Sequence, residues 1–155
     1  MKMLLRLGVV LLGAIVLPMG ATGCSTKENT KENVDHDLVL LQGEWTGMHF
    51  ENPGGDLHLF KEGQLIIQGE NVKLKFTKTE SGFADGTVSL DPSKSPKTFD
   101  SEWHLNNGKV MHFNGIYKLE GSLLTVCFGL DELRPTGFKA TEKPRSTVIV
   151  WGRAQ

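Results

Sequence analysis

The sequence predicts an all-β domain in which about eight antiparallel strands close into an up-and-down barrel. Three observations carry that expectation. Val72, Leu74 and Phe76 alternate with Lys73, Lys75 and Thr77, the period of two expected of a strand with one buried face. Asn107-Gly108 and Glu120-Gly121 interrupt apolar runs where a hairpin would turn. Beyond Gln42 no stretch keeps a 3.6-residue apolar period for three turns. Strands and turn signals spaced about 8–12 residues apart suggest a sandwich or a barrel. A meander of eight closes most readily into a barrel, because closure leaves no exposed strand edge.

The chain begins with a different material. Met1-Lys2-Met3-Leu4-Leu5-Arg6 is basic, and Leu7 to Gly23 carries no charge. Pro18 and Gly20 break any helix there, since proline lacks a donor and clashes with the preceding turn. A membrane span needs about 20 apolar residues, more than this segment offers. A basic start, an apolar middle and small residues before a cut describe a secretory signal. The cut region, Gly20-Ala21-Thr22-Gly23-Cys24, resembles the bacterial lipobox, which implies that residues 1–23 are removed and that Cys24 is acylated. Acyl chains hold a protein on a membrane at about 0.8 kcal/mol per buried methylene. The expected location is therefore the bacterial cell envelope, with the domain outside the cytoplasm. Ser25 stands where an inner-membrane retention Asp would follow the Cys.

Residues 24–36 are expected to form a tether. Ser25 to Asp35 is polar and nearly free of apolar side chains, too poor in carbon to build a core. As a coil, eleven such residues span roughly 17–20 Å. Asp37 to Gln42 suits one short helical turn capped by Asp35 or Asp37. The barrel domain is expected over residues 37–155, with strands near 44–50, 64–68, 71–78, 83–90, 97–105, 109–119, 122–129 and 146–152.

Turn chemistry extends the expectation to register. A two-residue loop at Glu120-Gly121 pairs Tyr117 with Leu124, Gly115 with Val126 and Phe113 with Phe128. Phe113, Tyr117, Leu119, Leu124, Val126 and Phe128 then share one face, which should be the inner wall. Asn114, Ile116, Lys118, Thr125 and Cys127 would form a mixed outer surface. A two-residue loop at Asn107-Gly108 sets His104 opposite Met111 and His112 opposite Trp103, which sends the two imidazoles to opposite faces.

Composition narrows the function. Lys and Arg number 17 against 18 Asp and Glu, so the basic excess of a phosphate-driven nucleic-acid binder is missing. Two Cys, one of them the acylation candidate, exclude a disulfide scaffold. His36, His49 and His58 lack ligand spacing, so no metal or other cofactor is expected.

Several short motifs, taken in order, resemble a paralogous domain family of planctomycete bacteria, small secreted or lipid-anchored proteins of unknown function. They are Leu41-Gln42-Gly43-Glu44-Trp45, Leu90-Asp91-Pro92, Pro96-Lys97 with Asp100, and Gly115 through Gly121 followed by Leu124 and Cys127. Arg134-Pro135-x-x-Phe138 and Arg153 close the series. Ser122 replaces the Asp usual in the second hairpin turn. The resemblance spans Leu41 to Arg153 and implies a lipocalin-like barrel, and the Gly-x-Trp opening is similar to that of lipocalins. It implies no activity.

Individual residues also admit plainer roles. The register expected from the Glu120-Gly121 loop sets Asn114 opposite Cys127 with His112 two residues along that face. A Cys127–His112 nucleophile pair is therefore geometrically possible, but free Cys is more often buried packing, and no oxyanion-forming turn accompanies it. No catalytic residue is assigned. Asp91-Pro92 reads as a turn start and Asp131-Glu132 as a solvated loop. Arg134 either anchors an anion at the barrel mouth or ties down a loop. Trp45 either plugs one end of the barrel or touches ligand, and Trp103 and Trp151 could floor a cavity. The expected function is a non-enzymatic envelope lipoprotein whose barrel holds a small apolar ligand. The alternative is a ligand-free structural or protein-interaction module.

Overall fold

The computed structural model describes residues 36–53, 63–76 and 83–154. The expected signal segment, Cys24 and nearly all of the tether lie outside the described residues. One short helix, α1, covers residues 36–41 of the described chain. Nine strands follow: β1 Gly43–Glu51, β2 Gln64–Gln68, β3 Asn71–Lys75, β4 Phe83–Asp91, β5 Lys97–Leu105, β6 Val110–Glu120, β7 Leu123–Gly129, β8 Thr141–Glu142 and β9 Arg145–Arg153. Each of β1 to β6 pairs antiparallel with the next, β7 pairs with β9, and β9 pairs back to β1. The result is a closed eight-stranded meander, the lipocalin-like barrel. The two-residue β8 was not foreseen; it adds to the start of β9 through Thr141↔Ser146 and Glu142↔Arg145.

Alternation explains the strands. In β3, Val72 and Leu74 are buried while Asn71 and Lys73 are exposed. In β5, Phe99, Ser101 and Trp103 are buried between less covered neighbours. Inward side chains from all the barrel strands form one apolar cluster, with Trp45, Ile67, Phe99, Tyr117, Leu124 and Val126 almost fully enclosed. One extra residue in β1 shifts its register on β9 between Gly47 and His49.

Both hairpin registers differ from expectation. The β6–β7 loop is Gly121-Ser122, because Glu120 pairs with Leu123, Leu119 with Leu124 and Tyr117 with Val126. Gly121 has φ +60°, and a type II′ hairpin reserves its first loop position for glycine. The pairing therefore moves by two residues, and a shift of two leaves every side chain on its expected face.

The β5–β6 loop has three residues, Asn106-Asn107-Gly108. Leu105 donates to the Lys109 carbonyl and Gly108 to the Leu105 carbonyl, both at 2.9 Å. Gly108 takes φ +79°, the left-handed residue that ends such a loop. Trp103 now pairs with Met111, His104 with Val110 and Glu102 with His112. A shift of one reverses facing, so the two imidazoles share a face.

The outer face of β6 and β7 is not simply a mixed surface. Ile116 and Cys127 are fully buried and pack with Val148 and Phe138. Residues between β7 and β8 cross the barrel wall here, and they cover what would otherwise be exposed carbon.

Candidate functional site

The two ends of the barrel are built differently. At one end α1 lies beside the start of β1. Trp45 is fully buried, and its indole N–H donates to the Leu41 carbonyl at 2.9 Å. The Arg153 guanidinium stacks 4.3 Å from the Trp45 ring. It also donates to the Gln42 carbonyl at 2.9 Å and to the Leu40 carbonyl. These last carbonyls of a helix lack partners within it, so Arg153 both caps α1 and holds it over the indole.

Asp37 is the second tie. Its carboxylate accepts from Lys97 Nζ at 2.7 Å and from the Tyr117 hydroxyl. Burial pushes the Asp37 carboxyl up, but the hydrogen bonds from Lys97 and Tyr117 outweigh it and hold the group below its ordinary value. Burial first, and then the adjoining carboxylate, raise the Tyr117 phenol. Leu124, fully buried, completes this closed end.

Above that floor lies an interior cavity of about 280 Å³. Phe99, Phe113, Val126, Phe128, Ile149 and Trp151 supply much of its wall, and Trp103 also reaches it. Phe128 is held by edge contacts, with ring centroids 5.8 Å from Phe99 and 5.7 Å from Phe113. Gly115 permits this. A Cβ there would stand 2.6 Å from the Phe99 carbonyl oxygen and 2.9 Å from the Phe128 ring. Met111 and Leu130 line the cavity and are also exposed, so the cavity reaches the surface at the end opposite α1.

The expected inner-wall residues and Trp45 therefore divide, with Leu119 only partly buried against the core and outside the cavity lining. Phe113, Val126 and Phe128 face the cavity; Trp45, Tyr117 and Leu124 lie outside its lining, in the packed floor. Trp103 and Trp151 are both in the lining. Register reasoning alone could not separate wall from floor, because both occupy one face of the same strands. In the sequence Asp37 reads only as a helix cap, because its partner 80 residues away leaves no local signal.

Arg134 sits outside the cavity lining. It reaches Asp100 with both terminal nitrogens, at 2.8 Å from Nη2 to Oδ2, and donates from Nη1 to the Gly115 carbonyl at 2.6 Å. It thus pins the segment after β7 to the outer edge of β5 and β6. Asp131 helps by accepting from the Arg145 backbone at 2.8 Å and from its Nε at 2.9 Å, more than the solvated loop that sequence suggested. Asp91 accepts from the Ser93 amide at 3.0 Å, a turn start.

Under the pinned segment, Cys127 lies fully buried with its sulfur 3.9 Å from the Lys139 carbonyl oxygen. Burial raises its thiol pKa, which favours the thiol over the nucleophilic thiolate. Cys127 pairs with Ile116 rather than Asn114, and His112 instead meets Glu102 at 3.4 Å. His104 meets the other oxygen of Glu102 at 2.9 Å. The nucleophile pair considered from sequence is not assembled.

The cavity's chemistry is that of carbon. Thr147 is the one polar side chain among its described lining residues. An unpaired charge placed there would lose its hydration without replacement. An engineered apolar cavity of about 150 Å³ stays dry and binds benzene, and this space is larger. Neither a protein-family model, nor a curated protein, nor a solved structure matches the chain.

Proposed function

We propose that this chain is a bacterial cell-envelope lipoprotein, acylated at Cys24, whose barrel binds a small apolar molecule. The observation that carries the binding half is the apolar cavity of about 280 Å³ above a packed floor. An eight-stranded barrel either fills its interior with side chains or holds one small ligand. Here side chains fill only the end beside α1. The anchoring half rests on the ordered basic, apolar and small-residue segments before Cys24, and on the polar run that follows. Kinship with the planctomycete domain family is part of the same proposal and adds no activity to it.

The ligand is neutral over the part that enters the barrel. Any charged group stays outside, since none of the described lining side chains carries a charge to pair with it. A native mass spectrum of the protein purified from its own host tests both halves. The expected masses are an acylated chain beginning at Cys24 and a second, non-covalent species carrying one apolar molecule. Ligand-free protein that co-purifies with another envelope protein favours an interaction module instead.

A further inference from the structure

We propose that the end of the barrel closed by α1 is a membrane-docking surface, so that the anchored domain rests with α1 on the lipid and turns its cavity away from it. This rests on the lipoprotein proposal, which supplies the membrane. Two observations point to the same end, and the second does not depend on the anchor.

The first is where the described chain begins. His36, the first described residue, lies in α1, and α1 is tied to the barrel floor through Asp37, Lys97 and Tyr117. Covalent geometry limits each residue to about 3.3–3.6 Å, so the chain from Cys24 to His36 spans at most ~40 Å. An acyl anchor at Cys24 delivers this end to the lipid before any other.

The second is what that end exposes. α1 buries Asp37 and Leu41 and turns Val39 and Leu40 outward, with Val39 70% exposed. An outward helix face in water is ordinarily polar. Arg153 places two further apolar residues beside them. Its side chain holds the Leu40 carbonyl, and its backbone N–H donates to the Ser122 carbonyl at 2.9 Å, next to exposed Leu123. Met48 is 61% exposed, and its sulfur lies where a Cβ on Gly152 would go. Val39, Leu40, Leu123 and Met48 thus surround the Gly152-Arg153 corner.

Exposed apolar residues also occur away from α1. Met111 and Leu130 belong to the cavity, whereas Val110 at the start of β6 and Leu133 after β7 do not. The choice of end therefore rests on the anchor, and the test compares position 110 directly. Charges at this end are mixed, with Glu44 near the start of β1, Lys97 at the start of β5, Lys118 and Glu120 paired near the end of β6, and Arg153 at the end of β9. The contact is therefore apolar rather than an attraction to anionic lipid, and neutral lipid suffices. Docking this way leaves the cavity open to the aqueous side.

The test uses the full acylated protein in phosphatidylcholine vesicles containing brominated acyl chains. A fluorophore is attached to Val39→Cys, Leu123→Cys or Val110→Cys in turn. Cys127 is buried, and unsubstituted protein controls for its labelling. Quenching several-fold stronger at positions 39 and 123 than at 110 is expected, and Leu40→Glu should weaken it at 39. Equal quenching at both ends, stronger quenching at 110, or indifference to Leu40→Glu overturns the docking surface. The mass of the chain separates the two proposals. A chain without acyl groups overturns both, whereas an acylated chain with no end preference overturns the orientation alone.

Discussion

Tyr117 donates its hydroxyl hydrogen bond to Asp37, 80 residues earlier in the chain. One partner stands in the only α-helix among the described residues and the other near the end of β6. Lys97, opposite Tyr117 in the β5–β6 ladder, donates to the same carboxylate oxygen. The pair therefore locks α1 onto the barrel end that Trp45 fills, and its strength should depend on pH from both sides.

The signs follow from linkage. Asp37 is held below its ordinary 3.8, so its contribution is present above that value and is lost as pH falls through the depressed one. Tyr117 is raised above its ordinary 10.0, so its contribution is full below that value and is lost as pH rises beyond it. Tyr117→Phe should cost about 1.5–3 kcal/mol near neutrality, the range for a hydrogen bond to a charged group. It should also remove the alkaline loss attributable to this residue. Urea unfolding of both proteins across the pH range measures this. An unchanged alkaline limb in Tyr117→Phe would show that the pair does not control it.

Wall and floor should answer differently to truncation. Leu124 is fully buried in the floor, and Leu124→Ala should cost about 2–5 kcal/mol with ligand affinity preserved in the protein that remains folded. Phe128 borders space that is already empty. Phe128→Ala should therefore cost less than the about 3–5 kcal/mol usual for a fully enclosed Phe, while altering ligand affinity strongly. Lys118, paired on the surface with Glu120 at 2.7 Å, should change stability by less than about 1 kcal/mol on replacement by Ala. Denaturant midpoints combined with ligand titrations separate the three.

Arg134 should control access to Cys127. Arg134→Ala removes the two-nitrogen grip on Asp100 and the bond to the Gly115 carbonyl, which should release the covering segment. The Cys127 thiol, unreactive while buried, should then react several-fold faster with a thiol reagent. Arg134→Lys should not restore protection, since an ammonium cannot span both carboxylate oxygens. Thiol-labelling rates measured below the unfolding transition decide it.

Much of this fold was legible because a half-buried strand must alternate, as Val72 and Leu74 do against Lys73. What was not legible is loop length. Asn107-Gly108 suggested two residues, whereas Gly108 ends a three-residue loop at φ +79°. That single residue put His104 and His112 on one face, either side of Glu102. At Glu120-Gly121 the length was right and only the position wrong, which did no damage because the two-residue loop slid along the chain and kept every facing. The covering of Ile116 and Cys127 was hidden for another reason. It comes from Phe138 in a segment without periodicity, held by an Arg134–Asp100 pair 34 residues apart.

Binding in the cavity is the central claim, and a cavity-filling variant tests it most directly. Ala84 is buried and lies in the cavity wall. Ala84→Leu should occupy part of the about 280 Å³ at a cost within the about 1–3 kcal/mol typical of overpacking. The measurement is a titration of the ligand-stripped protein with a small uncharged aromatic probe, followed by calorimetry. The account predicts one site in the unsubstituted protein and at least tenfold weaker binding, about 1.4 kcal/mol, in Ala84→Leu. Equal affinity in the two proteins, or no binding by either, would contradict it.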